Sequence, residues 1–107
     1  MAYNKYHVSP KAKRTADNIL FASKKEKDRY IILKLMERGG EITDLELQPR
    51  YTIVINDVKI CGYRADFRYK DKNGNIIVED VKGVRTPDYK IKAKLMFVCQ
   101  GIKILET

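Results

Sequence analysis

Within residues 63–83, two aspartates with apolar neighbours lie in two predicted strands, and a lysine follows the second aspartate. Asp66 lies between two apolar residues, and Asp80 lies two residues before Lys82. Two carboxylates with an ammonium group nearby can hold one divalent metal ion and stabilise the charge that grows on a phosphate. These residue types therefore predict metal-dependent hydrolysis of a phosphodiester bond.

The turn between the two aspartates decides whether they can meet. Residues 72–74 include an Asn-Gly pair, which predicts a hairpin. If all three residues form the loop, with the glycine in the left-handed conformation, Asp66 lies opposite Asp80. If only the Asn-Gly pair turns, Asp66 lies opposite Val81 and Asp80 points to the other face, because side chains alternate along a strand. The metal hypothesis therefore requires the longer loop.

We expect Asp66, Asp80 and the Val81 carbonyl to hold Mg²⁺ or Mn²⁺, leaving positions open for water and substrate oxygens. Lys82 points to the same face as Asp80, where its ammonium can orient the attacking water or stabilise the phosphate. The alternative is that Asp80 and Lys82 form a surface ion pair on a half-exposed strand. Apolar residues on both sides of each aspartate favour the metal site, since buried charge needs a partner.

This motif resembles the metal site of the PD-(D/E)XK nuclease superfamily, in which an aspartate and an Asp/Glu-x-Lys triplet lie on neighbouring strands. Asp66, Asp80 and Lys82 match those three positions, and Ala65 replaces the proline of the superfamily name. The resemblance implies an α/β (α+β) fold with an αβββαβ restriction-endonuclease-like core. In that core a mixed central sheet is flanked by two helices.

The order of shorter motifs extends the resemblance to about residues 15–106. The chain is similar to a small phage-encoded family of that superfamily long labelled as of unknown function. The matching segments are a helix start, a strand end, the two halves of the hairpin and a second helix start, at residues 23–26, 47–49, 65–67, 79–83 and 86–87.

Two further polar residues are candidates for the site. Glu26 follows Ser23 by three residues, so its carboxylate can cap the helix start. Glu26 also shares a helical stripe with Tyr30 and Leu33 at the border of the buried face, and the resemblance implies that a glutamate of the first helix approaches the metal. We therefore include Glu26 as a third acid and metal ligand. Gln48 matches a family glutamine beside proline; it either contacts nucleic acid or satisfies local backbone groups.

The charge balance favours a polyanionic partner. Lys and Arg total 22 against 14 Asp and Glu, a net charge of +8. DNA is the expected partner, and Arg85, Lys90 and Lys94 at the start of the second helix are candidate phosphate contacts. No long apolar run predicts a membrane span, and no signal peptide is recognisable, so we expect a cytoplasmic protein. Cys61 and Cys99 are expected to be reduced.

The length of 107 residues predicts one domain. We expect a flexible basic arm at residues 1–16 and a nuclease-like domain at residues 17–107. Helices are predicted at 24–38 and 87–100, with residues 59–69 as one strand. The predicted core stripes of the helices are Ile32, Leu35 and Met36 in the first, and Ile91, Leu95 and Val98 in the second. Lys24, Lys25, Lys27 and Arg29 are predicted on the surface.

Three functions are consistent with these residues. The first is a metal-dependent endonuclease that hydrolyses DNA, either nicking it or cleaving branched intermediates. The second is a non-catalytic nucleic-acid-binding protein on the same scaffold, and the third is a small basic protein that binds another protein. Because one active site cuts one strand, a double-strand break or junction resolution would indicate a homodimer.

Overall fold

The computed structural model describes residues 9–107. His7 and the first half of the expected N-terminal arm, residues 1–8, lie outside this range. Lys11–Arg14 form a 3₁₀ turn, after which β1 (Thr15–Ala16) pairs antiparallel with β2 (Ile19–Leu20). The expected boundary at residue 17 therefore falls inside a small hairpin, and regular structure begins earlier than expected.

The two long helices begin and end where the capping residues predict. Helix α1 (Lys24–Arg38) follows Ser23, whose hydroxyl accepts a hydrogen bond from the third helical amide. Helix α2 (Pro87–Gln100) follows Thr86, with proline at its first position, and ends at Gly101 in the left-handed conformation. No helix within residues 9–107 is both long and apolar enough to cross a membrane.

Four strands form a mixed central sheet. The remaining strands are β3 (Thr43–Leu47), β4 (Arg50–Ile55), β5 (Val58–Arg64), β6 (Phe67–Lys70), β7 (Ile76–Asp80) and β8 (Leu105–Glu106). The central sheet has the order β3-β6-β7-β8, in which β7 and β8 are parallel and the other pairs antiparallel, while β4 and β5 form a separate hairpin. The order α1, β3, β6, β7, α2, β8 confirms the predicted mixed α/β fold class.

The prediction of one strand over residues 59–69 is wrong, because the chain changes sheets at Ala65 and Asp66. Before this point β5 pairs with β4, and after it β6 pairs with β3 and β7. The Ala65 amide still donates to the Pro49 carbonyl, at 3.1 Å, whereas the Asp66 amide donates to the Glu79 carbonyl, also at 3.1 Å. The first candidate ligand therefore lies at the bend, immediately before β6.

The two helices cover opposite faces of the central sheet. Side chains of α1 pack with Phe67, Tyr69 and Ile77 in one apolar cluster, and side chains of α2 pack with Val78 in another. Because neighbouring residues of a strand point to opposite faces, Ile77 and Val78 divide β7 between the two clusters. Cys61 and Cys99 are free and pack beside the α2 cluster.

The predicted core stripes of the two helices are only partly correct, because Met36 of α1 and Leu95 of α2 pack against the apolar clusters while the other predicted residues are exposed. In α1, Ile32 and Leu35 are exposed, and the buried residues are Glu26, Tyr30 and Leu33. In α2, Ile91 is 58% and Val98 77% exposed, and the buried residues are Tyr89 and Met96. Each helix carries more than one apolar stripe, and contact with the sheet decides which is buried.

Arg29 is not a surface residue as predicted, because it pairs with a fully buried glutamate of β7. Its Nε and Nη2 lie 2.7 and 2.9 Å from the two carboxylate oxygens of Glu79. The Tyr69 hydroxyl donates to the same carboxylate at 2.7 Å and the Thr107 hydroxyl at 3.0 Å. This bidentate pair joins α1 to the strand that carries Asp80.

We expect Arg29→Ala to lower the free energy of unfolding by about 3 to 5 kcal/mol, because it leaves the Glu79 charge buried without its cation. Lys24→Ala is the matched control, since Lys24 forms an exposed ion pair with Asp28 of the same helix, and it should cost less than about 1 kcal/mol. Urea unfolding measures both. Equal losses in the two variants would contradict a structural role for the buried pair.

Candidate metal site

The loop between β6 and β7 has the length that the metal hypothesis requires. The Asp71 amide donates to the Asn75 carbonyl at 2.9 Å, which leaves residues 72–74 as the loop, and Gly74 is left-handed with φ +80°. The strand register pairs Phe67 with Glu79. Asp66 precedes Phe67 and Asp80 follows Glu79, so the two aspartates lie opposite each other on the same face of the sheet. This is the register that the metal hypothesis requires.

Protein donors hold both aspartates in place. One oxygen of Asp80 accepts the Asp66 amide at 3.0 Å, and the other accepts the hydroxyl of Tyr63. One oxygen of Asp66 accepts the Val81 amide at 2.8 Å. Asp80 is fully buried, and Asp66 is partly exposed at the end of the sheet. The two carboxylates are thus fixed by the backbone amides of Asp66 and Val81 and by one tyrosine.

Acceptors remain for a cation. Within residues 9–107, no hydrogen-bond donor contacts the Oδ1 of Asp66 or the carbonyl of Val81. Opposed carboxylates repel each other when no cation lies between them, and a divalent ion reverses that interaction. Two carboxylates with free lone pairs and one free carbonyl fit Mg²⁺ or Mn²⁺, which prefer oxygen ligands.

Lys82 approaches Asp80 as predicted. Its Nζ lies 3.4 Å from an Asp80 oxygen and 4.0 Å from the centre of the Tyr89 ring. The ring face favours the ammonium and fixes its position, since a cation is attracted to the negative face of an aromatic ring. The Lys82 carbonyl accepts a hydrogen bond from the Lys25 ammonium at 2.9 Å, which joins the start of α1 to the segment that follows β7.

Glu26 lies beside the aspartates, although it does not complete a ligand set. Burial, followed by the negative charge of Asp66, raises the pKa of Glu26 from 4.5 to about 7, and Asp80 adds to this. Burial raises the pKa of Asp66 from 3.8 to about 6; the Val81 amide opposes this shift and the Asp80 charge adds to it. Across the described residues, no three His, Cys, Asp or Glu side chains are arranged to hold a metal ion.

The predicted nucleic-acid contacts divide between two places. The backbone amide of Gln48 donates to the backbone carbonyl of Asp66 at 2.9 Å. Gln48 has a left-handed backbone with φ +52°, and its side chain is exposed. Arg85, Lys90 and Lys94 line a groove between α2 and β8, where Arg85 pairs with Glu106 at 3.1 Å. Gln48 is therefore beside the aspartates, whereas the three cations belong to another surface.

Tyr63 is a site residue that the sequence did not reveal. Burial, then its hydrogen bond to Asp80, raises the pKa of Tyr63, so the hydroxyl remains a donor at neutral pH. It lies three residues before Asp66, on the hairpin strand β5, and no spacing rule connects the two. Apolar residues occur at both parities of β5, with Val58 and Ile60 at one and Cys61 and Tyr63 at the other, so strand alternation did not indicate which face is buried.

We expect the unfolding free energy of the metal-free protein to fall by about 2 kcal/mol between about pH 5.5 and about pH 7.5, because Glu26 then ionises in a buried site. A raised carboxyl pKa adds stability below the unfolded-state value, and that stability is lost as the pH rises through about 7. Glu26→Gln should remove most of this fall, and Glu41→Gln, at an exposed ion pair, should leave it unchanged. Urea unfolding at both pH values tests this, and an equally steep fall in Glu26→Gln would contradict it.

Comparison with known proteins gives one family. No curated protein and no solved structure matches the chain significantly. A family profile described as "Protein of unknown function (DUF1064)" matches residues 4–103, which include both aspartates, Lys82 and Glu26. The match covers all but the first three and last four residues of the 107-residue chain. The chain belongs to the DUF1064 family.

Proposed function

We propose that this protein is a metal-dependent endonuclease that hydrolyses phosphodiester bonds of DNA. The observation that carries the proposal is the opposed pair Asp66 and Asp80, with the Lys82 ammonium 3.4 Å from Asp80. Carboxylates fixed at a strand end and an ammonium on the same face are the groups that metal-assisted phosphate hydrolysis requires. The excess of basic residues supports a polyanionic substrate.

Each candidate side chain has a separate role in the proposed hydrolysis. Asp66, Asp80 and the Val81 carbonyl would hold the ion, which when bound lowers the pKa of water and offsets negative charge on phosphate. Lys82 places its ammonium where charge grows on the phosphate oxygens. Glu26, with a pKa near 7, is suited to accept a proton from the attacking water.

The resemblance to the PD-(D/E)XK superfamily supports the same function. Asp66, Asp80 and Lys82 match its motif residue by residue, and the αβββαβ order of elements agrees with its core. We therefore propose that the DUF1064 chain is a member of that superfamily. One site cuts one strand, so cleavage of branched DNA or of both strands would require a homodimer.

The second candidate is a nucleic-acid-binding protein without catalysis on this scaffold. The observation in its favour is that Glu26, Asp66 and Asp80 do not form a three-ligand cluster among residues 9–107. Titration with Mn²⁺ distinguishes the two functions. A nuclease should bind the ion in a manner that depends on Asp80, whereas a pure binding protein should have no such site.

We expect Asp80→Asn to reduce Mg²⁺-dependent cleavage of a labelled DNA panel by at least about hundredfold, because one ligand charge is lost. The amide has nearly the same shape: its oxygen can still accept the Asp66 amide, and its NH₂ group can donate to the Tyr63 hydroxyl oxygen. Circular dichroism and DNA binding should therefore be retained. Glu46→Gln is the control, since Glu46 is an exposed carboxylate 3.7 Å from Arg68.

Wild-type activity in Asp80→Asn would refute the proposed site. The panel should include duplex, nicked, branched and single-stranded DNA, each with Mg²⁺ and with Mn²⁺. A loss of cleavage that Glu46→Gln shares to the same extent would show that the assay reports general damage to the protein.

A further inference from the structure

A second basic surface lies next to the candidate site, on the β4–β5 hairpin. A cleft of about 530 Å³ is lined by the cations Arg50, Lys59, Arg64 and Lys92, together with Gly62 and Tyr63, and contains no carboxylate. We call this surface the hairpin cleft. Within residues 9–107 none of its four cations forms an ion pair, whereas Arg68 and Lys70 of β6 both do.

The arginines of the hairpin cleft face each other, and among residues 9–107 neither forms an ion pair, although the charge of Arg64 acts on Glu26 and opposes the rise of its pKa. Arg50 and Arg64 are direct cross-strand partners, and both are exposed. Like charges in directly opposed positions destabilise a strand pair. An anion between them would convert the repulsion into two attractive contacts, and a phosphate suits the planar guanidinium because both can form paired hydrogen bonds.

At Gly62 the surface of the cleft is formed by backbone atoms alone. Gly62 is the cross-strand partner of Thr52, two positions from the arginine pair on each strand and therefore on the same face. Because Gly62 has no side chain, a chain of phosphates can approach the strand closely between the two arginines and Lys59. The cleft therefore combines room along its floor with positive charge at its rim.

One side chain connects the cleft to the metal site. Tyr63 lines the cleft, and its hydroxyl donates to the Asp80 carboxylate. Arg64 is two residues before Asp66 and immediately follows Tyr63. A phosphate backbone that lies in the cleft is thus directed toward the two aspartates.

The groove along α2, which holds the predicted contacts Arg85, Lys90 and Lys94, is a weaker candidate. It also has four cations, but it includes the carboxylate of Glu106, which pairs with Arg85, and four apolar residues, among them Phe97 and Val98. A phosphate gains less from a site in which a carboxylate is present and one cation is already paired.

We infer that the nucleic-acid backbone reaches the candidate metal site through the hairpin cleft, with Arg50, Arg64, Lys59 and Lys92 binding successive phosphates. The inference rests on the proposed function for the identity of the polyanion. The binding role itself is independent of catalysis, because phosphate contacts position a nucleic acid whether or not a bond is cut.

The test is DNA binding in the presence of a metal chelator, measured by fluorescence anisotropy over a range of salt concentrations. Arg50→Gln/Arg64→Gln should weaken binding by about tenfold or more and reduce the slope of log affinity against log salt by about 2, one for each lost phosphate contact. Its unfolding free energy should be unchanged or higher, since a cross-strand repulsion has been removed.

Lys34→Gln/Arg38→Gln is the matched control with the same change in charge. These residues lie 8 and 12 positions beyond Glu26 in α1, roughly 12 to 18 Å along the helix axis. This variant should bind within about twofold of the wild type.

Gly62→Glu tests the floor of the cleft without relying on the arginines. A Cβ atom at Gly62 would lie 3.8 Å from the Tyr51 carbonyl oxygen, an ordinary contact, so the fold tolerates a side chain there. The new carboxylate would fill and neutralise the cleft, and binding should weaken by about tenfold or more with thermal stability retained.

Wild-type affinity and salt dependence in both cleft variants would overturn the inference, as would losses equal to that of the control. Failure of the proposed nuclease would appear differently. If the cleft variants lose binding but the wild type cleaves no DNA with any divalent ion, the cleft assignment stands and the nuclease proposal fails. If the wild type cleaves DNA and the cleft variants bind normally, only the cleft assignment fails.

Discussion

The register between β6 and β7 is the constraint on which the candidate site depends. The three-residue loop at 72–74 sets that register, and a slip of one residue would send Asp80 to the opposite face of the sheet. In the observed register two carboxylates oppose each other, which is unfavourable for a sheet alone. Tyr63 and two backbone amides offset part of that repulsion, and a divalent cation would offset the rest.

Neighbouring acids on β7 have different roles because they face opposite sides of the sheet. Glu79 lies on the α1 side, where Arg29 neutralises it with two hydrogen bonds and two hydroxyls complete its shell. Asp80 lies on the α2 side and shares Lys82 with the ring of Tyr89, so its negative charge is less completely matched. The buried pair fixes α1 against the sheet, and this brings Glu26 toward the aspartates. Two consecutive residues of one strand thus differ in role: Glu79 stabilises the fold, and Asp80 belongs to the candidate metal site.

Local rules were sufficient to predict some features from the sequence, and tertiary contacts determine the others. The helix limits and the order of elements follow from turn residues, caps and strand alternation, all of which act over a few residues. The turn residues allowed two registers for the aspartates, and only the fold selects the one in which they face each other. The Arg29–Glu79 pair joins residues 50 positions apart, and no local pattern indicates it. The core stripes were correct for Met36 and Leu95 and wrong for Leu35 and Val98, because the sheet leaves those side chains exposed. The hairpin cleft brings β4, β5 and α2 together, so its charge becomes visible only in the folded chain.

The most direct measurement of the central claim is a crystal structure of the protein with Mn²⁺, whose anomalous scattering locates the ion without reference to activity. We expect one peak between Asp66 and Asp80, at about 2.0 to 2.3 Å from an oxygen of each, with the Val81 carbonyl in or next to the coordination shell. A fully occupied peak at other carboxylates, or crystals saturated with Mn²⁺ in which the two aspartates bind no ion, would contradict it.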